Sequence, residues 1–219
     1  VFSYFPVNGD IVTCILTSSL LCATSNPATS NGISMIVNPL LPVSIIITED
    51  QNNVCQGTAV TYTASATNGG IAPSYQWKSN GLNVGTNSVT YSYIPSNGDN
   101  ITCILTSDAA CASGSPVVSN NVIMVINPSM PLSVAITGDQ NNVCQGTSVT
   151  FIAATINGGS NPVYQWQVNG INTGLNSATY SYIPANGDLV SCILTSNLSC
   201  ATGNPAISNI IAMAVNVIQ

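Results

Sequence analysis

Cysteine is the residue type in this sequence with the clearest capacity for chemistry. The chain of 219 residues has eight cysteines and no histidine. The lack of histidine rules out mixed cysteine and histidine zinc sites, and no Cys-x-x-Cys pair could begin a four-thiolate site. Disulfide bonds in an oxidising, extracellular setting are therefore the predicted use of the thiols. The cysteines are Cys14, Cys22, Cys55, Cys103, Cys111, Cys144, Cys192 and Cys200.

The spacing of the cysteines reveals an internal repeat of 89 residues. The matched sets are Cys14, Cys103 and Cys192; Cys22, Cys111 and Cys200; Cys55 and Cys144; and Trp77 and Trp166. A fixed period of this kind sets the domain organisation. It predicts an incomplete repeat at 1–42, holding the end of strand E with strands F and G, and complete repeats at 43–131 and 132–219.

Groups suited to acid–base catalysis are scarce. The chain has seven carboxylates and a single basic side chain, Lys78. Without histidine, neither Ser-His nor Cys-His activation of a nucleophile is available. Nothing in the sequence places two carboxylates across a cleft, as glycoside hydrolysis requires. We predict no catalytic residues and a protein that is not an enzyme.

The charge balance excludes two classes of partner. The formal net charge is -6, and nucleic-acid binding depends on lysine and arginine, so no nucleic acid is expected. Attraction to anionic lipids fails for the same reason. The apolar stretch 40–47 is too short for a spanning helix, which needs ~20 apolar residues. No membrane insertion is expected.

Four aspartates lie in predicted loops at one end of the repeats: Asp50, Asp99, Asp139 and Asp188. Aspartates in turns commonly accept hydrogen bonds from nearby backbone N–H groups, and this is the predicted role. The alternative is Ca²⁺, because Asp50 with Asp99, or Asp139 with Asp188, could supply carboxylate ligands beside asparagine carbonyls. No other cofactor is expected.

Short runs in which apolar residues alternate with serine and threonine predict β-strands throughout the chain. About six or seven strands in 89 residues are typical of an immunoglobulin-type β-sandwich. Asn80-Gly81 and Asn169-Gly170 predict two-residue hairpins after strand C. The predicted strands of the first complete repeat are 43–48, 58–66, 74–79, 87–94, 100–107 and 120–126.

Two segments rich in proline, 37–44 and 126–133, separate the repeats. Proline fixes φ and restricts the residue before it, so these linkers should be short and semi-rigid. We therefore expect an all-β protein whose tandem sandwiches are arranged as a rod.

Trp77 and Trp166 fall on predicted strand C and are expected in the sandwich core, facing Cys103 and Cys192 on strand F. The alternative is an exposed platform for sugar rings. Cys103 shares the inward parity of its apolar neighbours on strand F, so we predict a buried free thiol. The same prediction covers its counterparts Cys14 and Cys192.

The remaining cysteines lie near the ends of the predicted sandwiches. Cys55 precedes strand B and Cys111 follows strand F at the opposite end. A strand of seven residues spans roughly 23 Å, too far for a disulfide, which needs Cα atoms within about 7 Å. Head-to-tail stacking brings Cys55 next to Cys200 of the following repeat, and we predict an inter-domain bond there. The rival is a bond from Cys55 to Cys103 across one sandwich.

By the same reasoning, Cys111, Cys144 and Cys22 are predicted to bond to neighbouring units. Residues 1–42 alone would be at best marginal as a fold. Either the chain is a window on a longer tandem array, or it is a subunit whose half-domain is completed by strands of a neighbour.

Four segments of the first complete repeat are similar to those of a known family of repeats. They are VCQGTAVTYTA, YQW, NGDNITCILTS and a final strand ending in INP. The chain resembles the immunoglobulin-like, PKD-like tandem repeats of giant secreted cell-surface adhesins of Bacteroidota, including gliding-motility adhesins. It departs from that pattern in lacking an acidic Gly-Asp-Gly after the tryptophan.

The resemblance implies a non-catalytic structural or adhesive segment of an extracellular filament or cell-surface adhesin. The expected partners are neighbouring copies or repeats of the same protein, with surface glycans as a further candidate. The alternative is a spacer or carbohydrate-binding module of a secreted multidomain enzyme.

Overall fold

The computed structural model describes residues 1–216, so 217–219, the end of the predicted second complete repeat, lie outside the described residues. Every regular element in the described range is a β-strand. No helix in this range is long and apolar enough to cross a membrane. One compact unit contains Val1–Asp50, Thr61–Ser92 and Asn100–Val122. The other contains Gln51–Val60, Tyr93–Asp99 and the residues from Ile123 onward.

The strands fall into three groups that follow the sequence period. Residues 1–42 contain β1 (Ile11–Val12), β2 (Ile15–Leu16), β3 (Ala28–Thr29), β4 (Ile33–Ser34) and β5 (Leu41–Pro42). The first complete repeat contains β6 (Ser44–Glu49), β7 (Val54–Cys55), β8 (Val60–Thr67), β9 (Ser74–Ser79), β10 (Leu82–Val84), β11 (Thr90–Tyr93), β12 (Asn100–Thr106), β13 (Ala112–Ser113), β14 (Val117–Val118), β15 (Val122–Ile123), β16 (Ile126–Asn127) and β17 (Met130–Pro131). The second contains β18 (Ser133–Gly138), β19 (Val143–Cys144), β20 (Val149–Ile156), β21 (Val163–Val168), β22 (Ile171–Thr173), β23 (Thr179–Tyr182), β24 (Leu189–Thr195), β25 (Ala201–Thr202), β26 (Ala206–Ile207), β27 (Ile211–Ala212) and β28 (Val215–Asn216).

Each complete repeat has the two sheets of an immunoglobulin-like sandwich. In the first, β6, β8 and β11 form one sheet, which corresponds to strands A, B and E. The other sheet has the order β10-β9-β12-β14, with β15 also on β12, and corresponds to C′, C, F and G. The second repeat reproduces both sheets, with β18-β20-β23 and β22-β21-β24-β26. This topology confirms the predicted fold class.

The core follows from alternation along each strand. In β8 the side chains of Val60, Tyr62 and Ala64 are buried while Thr63 and Ser65 are exposed, because successive side chains of a strand point to opposite faces. Ile101, Cys103 and Leu105 of β12 are buried in the same manner. The corresponding core of the second repeat is built from Leu132, Val134, Ile136, Val143, Val149, Phe151, Ala153, Trp166, Val190, Cys192, Leu194 and Met213.

Asn80 and Gly81 have φ of 52° and 82°, as the predicted hairpin between strands C and C′ requires. The predicted strand at 120–126 is instead divided into β15 and β16. The division falls at Met124 and Val125, where the Met124 N–H donates to the Asp99 oxygen at 2.9 Å and the Val125 N–H donates to Asn52 Oδ1 at 2.9 Å. Asn120 instead separates β14 from β15: its side chain accepts from the Ile47 N–H at 2.8 Å and donates to the Ile47 oxygen at 3.0 Å. The side-chain amide therefore replaces the backbone at that point of the strand.

The two linkers are paired with strands over much of their length. Leu41–Pro42 pairs in parallel with Ala112–Ser113, and Met130–Pro131 pairs in parallel with Ala201–Thr202. At the other end of the second linker, Ile126–Asn127 pairs with Val54–Cys55. Only Pro128 and Ser129 lie between the paired segments.

Residues 1–42 form two antiparallel pairs, β1 with β4 and β2 with β3. Their apolar side chains are largely exposed, as at Ile15 and Leu16. Cys14 is exposed as well, so the prediction of a buried thiol was wrong for this residue. The physical reason is that, among the described residues, no sheet like β6-β8-β11 of the first complete repeat packs over the strands of 1–42.

Candidate functional site: the disulfide-linked junction

The structure brings together the cysteine before strand B of the first repeat and the cysteine of the F–G loop of the second. The Sγ atoms of Cys55 and Cys200 form a disulfide of 2.01 Å, with Cα atoms 5.4 Å apart and a sequence separation of 145 residues. The rival pairing of Cys55 with Cys103 is overturned, because Cys103 is a buried free thiol. Both bonded cysteines belong to the second compact unit.

Backbone pairing holds Cys55 against the end of the G strand. The Gln56 N–H donates to the Asn127 oxygen at 2.9 Å, and the Val54 N–H donates to the Val125 oxygen at 3.2 Å. The Asn127 side chain donates to Asn53 Oδ1 at 3.0 Å. These bonds fix the position of the Cys55 backbone relative to the first residues of the linker.

Cys200 is held against the end of the same linker. The Met130 N–H donates to the Cys200 oxygen at 3.0 Å, and the Leu132 N–H donates to the Thr202 oxygen at 2.9 Å. The Ala201 N–H closes the turn by donating to the Leu198 oxygen at 3.3 Å. The disulfide therefore spans Pro128 and Ser129 in parallel with the backbone. We call Cys55, its bond to Cys200 and these linker contacts the junction.

The same backbone frame recurs around Cys144, the counterpart of Cys55. The Gln145 N–H donates to the Asn216 oxygen at 2.9 Å, and the Val143 N–H donates to the Ala214 oxygen at 3.0 Å. The Asn216 side chain donates to Asn142 Oδ1 at 2.9 Å. Unlike Cys55, Cys144 is an exposed free thiol.

The frame of Cys200 recurs around Cys111. The Leu41 N–H donates to the Cys111 oxygen at 2.9 Å, and the Val43 N–H donates to the Ser113 oxygen at 3.0 Å. The Ala112 N–H donates to the Ala109 oxygen at 3.2 Å. Cys111 is also an exposed free thiol, as is Cys22 in the incomplete repeat.

Cys103 and Cys192 occupy a different environment from the junction cysteines. Both are buried on strand F, opposite Trp77 and Trp166 on strand C. Burial raises the pKa of each thiol to about 11, despite an opposing backbone hydrogen bond. Because the thiolate is the reactive form, these two cysteines are inert packing residues at neutral pH.

The tryptophans are core residues. Trp77 and Trp166 are fully buried, and their Nε1–H groups donate to the oxygens of Ser88 at 2.8 Å and Ser177 at 2.9 Å. Trp77 packs against Tyr62 with ring centroids 6.4 Å apart. Neither ring is available as a platform for sugars.

The four loop aspartates accept hydrogen bonds within their own repeats. Asp50 and Asp139 each accept from a backbone N–H of strand B at 3.0 Å. Asp99 Oδ2 accepts from the Ser96 N–H and the Tyr93 hydroxyl, both at 2.8 Å. The residues described include no cluster of three or more histidine, cysteine, aspartate or glutamate side chains that could hold a metal ion.

Asp188 accepts the corresponding hydrogen bonds in the second complete repeat. Its Oδ2 accepts from the Ala185 N–H at 2.8 Å and the Tyr182 hydroxyl at 3.2 Å, while Oδ1 accepts from the Asn169 amide at 2.8 Å. Burial opposes the charged form, but these hydrogen bonds outweigh it and lower the pKa of the Asp188 carboxyl. The pKa of the Tyr182 hydroxyl is raised by burial and by the neighbouring Asp188 charge.

Sequence reasoning missed the asparagines that organise the junction. Asn52 Oδ1 accepts from the Val125 N–H at 2.9 Å, and Asn52 Nδ2 donates to the Ile123 oxygen at 3.1 Å. Asn53, with φ of 56°, accepts from Asn127. The signal was present, since QNNVCQG recurs at 51–57 and 140–146.

No protein-family model matches this chain, and no curated protein does either. Solved structures share its fold. One, described as a "Ca2+-stabilized adhesin" that "helps an Antarctic bacterium reach out and bind ice", is 13% identical with a TM-score of 0.54. The match covers 94% of this chain and 57% of that one, so the chain spans little more than half its length.

Two further structures are similar at lower scores. The mouse nectin-like molecule 4 ectodomain (Ig1–Ig3) is 11% identical with a TM-score of 0.34, covering 85% of this chain and 69% of that one. The Clostridium thermocellum CbhA fibronectin(III)-like modules are 13% identical with a TM-score of 0.33, covering 80% and 95%. With the strand topology, the adhesin match defines the chain as tandem immunoglobulin-like β-sandwich repeats.

Proposed function

We propose that this chain is a non-catalytic, load-bearing segment of an extracellular filament or cell-surface adhesin, of the type found in the giant secreted adhesins of Bacteroidota. The observation that carries the proposal is the disulfide between Cys55 and Cys200. A disulfide persists in oxidising compartments outside the reducing cytosol. Its position at the junction of two repeats, rather than inside one sandwich, suits a bond that resists separation of the repeats.

The connectivity of this bond has a mechanical consequence. When the two ends of the chain are pulled apart, the covalent path runs through the disulfide, and the backbone between Cys55 and Cys200 carries no extending force. That segment accounts for a separation of 145 residues in a chain of 219. Strands B to G of the first repeat and A to F of the second are thereby shielded from unfolding under tension.

Surface composition and the comparisons support the same role. With four per cent charged residues, much of the surface is covered by serine, threonine and asparagine. A solved structure that shares the fold is described as an adhesin, which supports an adhesive role for this chain. The alternative of a carbohydrate-binding module would be favoured by exposed tryptophan rings, and Trp77 and Trp166 are buried.

The proposal is tested on intact cells that carry the native protein. A membrane-impermeant maleimide is applied before and after reduction, and labelled cysteines are mapped. Cys55 and Cys200 should be labelled on intact cells only after reduction. Labelling without reduction would contradict a disulfide, and labelling only after lysis would contradict the extracellular location.

The load-bearing role is tested by attachment under flow. Cells whose protein carries Cys55→Ser should detach at lower shear than wild-type cells. Cys103→Ala is the matched control, because that thiol forms no disulfide and alanine adds no polar group to the core. Equal detachment of both variants and wild type would contradict the role.

A further inference from the structure

We propose that Cys144 and Cys111 are the two complementary halves of further junctions, each of which forms a disulfide with another repeat of this type. Cys144 is assigned the F–G-loop cysteine of the following repeat, and Cys111 the cysteine that precedes strand B of the preceding one. The inference deepens the proposed function by naming the partner, and it rests on that function.

The backbone around the free Cys144 matches the backbone around the bonded Cys55. At both Cys55 and Cys144, the N–H of the residue after the cysteine donates to an asparagine oxygen at the end of the G strand at 2.9 Å. The asparagine bonds behind the two cysteines measure 3.0 and 2.9 Å. Cys144 is therefore presented by the same backbone frame as a cysteine that is bonded in this structure.

The F–G-loop cysteines share their hydrogen bonds to the linker. The linker N–H reaches the cysteine oxygen at 3.0 Å for Cys200 and at 2.9 Å for Cys111. The next linker contact, two residues on, measures 2.9 and 3.0 Å. Cys111 thus shares the linker hydrogen bonds of the bonded loop and has an exposed thiol, while its own φ of 64° differs from that of Cys200, which is not positive.

The register of the observed bond also fixes where the partners of Cys144 and Cys111 lie. The observed disulfide joins residues 145 apart. The same separation would put the partner of Cys144 after residue 219 and the partner of Cys111 before residue 1. The partner in each case is a further repeat, either along the same polypeptide or in a second copy.

Bond formation requires an oxidant, and we assign a small-molecule or protein disulfide. The thiolate of Cys144 attacks one sulfur of that disulfide and releases one thiol. The partner thiolate then attacks the Cys144 sulfur of the mixed disulfide and releases the second thiol. The two cysteines lose two electrons to the oxidant, and their two protons end on the released thiols.

The resulting bonds overlap along the chain, because Cys144 lies between Cys55 and Cys200. The next bond therefore begins before the first one ends. In a continuous array, the shortest covalent path would use the 33 residues from Cys111 to Cys144 out of 178 in two repeats. Strands B to F of every sandwich would then lie off this path and be shielded from tension, whereas G strands and the A strands that follow them would carry it.

The first test oxidises the 219-residue chain with glutathione disulfide and maps the linked peptides without reduction. Cys14, Cys22, Cys111 and Cys144 are the exposed free thiols of the described chain. Bonds of Cys144 to Cys111 or Cys22 should exceed Cys144–Cys144 bonds by about tenfold, which requires only ~1.4 kcal/mol of preference. Cys144→Ser should abolish these linked oligomers, whereas Cys14→Ser should leave them in place.

Pairing without preference, persistence of the oligomers in Cys144→Ser, or a chain that stays monomeric would each overturn the inference. Loss of the Cys55–Cys200 peptide from the same map would instead overturn the proposed function, so the two failures are distinguishable. Native protein supplies the second arm. If the bonds join separate chains, reduction should lower the apparent mass of the native protein. If they lie along one polypeptide, reduction should leave the mass unchanged.

Discussion

Breaking the disulfide between Cys55 and Cys200 should increase the contour length that the chain reaches when it is stretched by force. Residues extend by at most ~3.3–3.6 Å each, so the 145-residue separation corresponds to about 480–520 Å of hidden contour. With the bond intact, 74 of the 219 residues are extensible, about 250 Å. Cys55→Ser should therefore roughly triple the contour length of the fully stretched chain.

The measurement is single-molecule pulling with handles attached at the two ends. The wild-type chain should show its short contour under non-reducing conditions, and added reductant should reproduce the Cys55→Ser trace. Cys144→Ser is the matched control, since it removes the equivalent thiol from a site that is unbonded in this chain. A wild-type trace that extends to the full chain length without reductant would refute the reasoning, as would a Cys55→Ser trace that is no longer than wild type.

Two further predictions concern the loops that shape each repeat. In urea unfolding, Gly70→Ala should lower the free energy of unfolding by more than Gly81→Ala. Both glycines have positive φ, which costs an L-residue roughly 1–2 kcal/mol. At position 70 the new Cβ would also overlap the Asp108 carboxylate, which adds about 1–3 kcal/mol. Equal losses would contradict the predicted overlap. Asp188→Asn should lower the free energy of unfolding by roughly 1 kcal/mol at neutral pH. Because the pKa of the Asp188 carboxyl is lowered from 3.8 in the folded state, its contribution to stability is fully present above pH 3.8 and is lost as the pH falls through the lowered pKa. The difference between wild type and Asp188→Asn should therefore shrink in acid, and a difference independent of pH would contradict the charged role.

Local pattern was sufficient for much of the fold. Alternation of apolar residues with serine and threonine predicted the main strands, because one face of each strand is buried and the other is not. The Asn80-Gly81 pair predicted its hairpin, because positive φ at both positions is accessible to few other residue pairs. The inward parity of strand F predicted buried thiols, which was right for Cys103 and Cys192 and wrong for Cys14. Parity gives a face, whereas burial needs a second sheet to cover that face.

The sequence alone determined the period of 89 residues, the class of fold and the candidate pairing of Cys55 with Cys200, since each of these follows from residue type and spacing. Tertiary structure decided which thiols are bonded, because a disulfide forms only where two cysteines are held within reach by contacts made elsewhere. It also decided that the linker ends become strands. The side chains of Asn52, Asn53 and Asn120 make hydrogen bonds that backbone groups make in a regular strand. Such bonds join residues more than 70 positions apart, so no local pattern could specify them before the chain had folded.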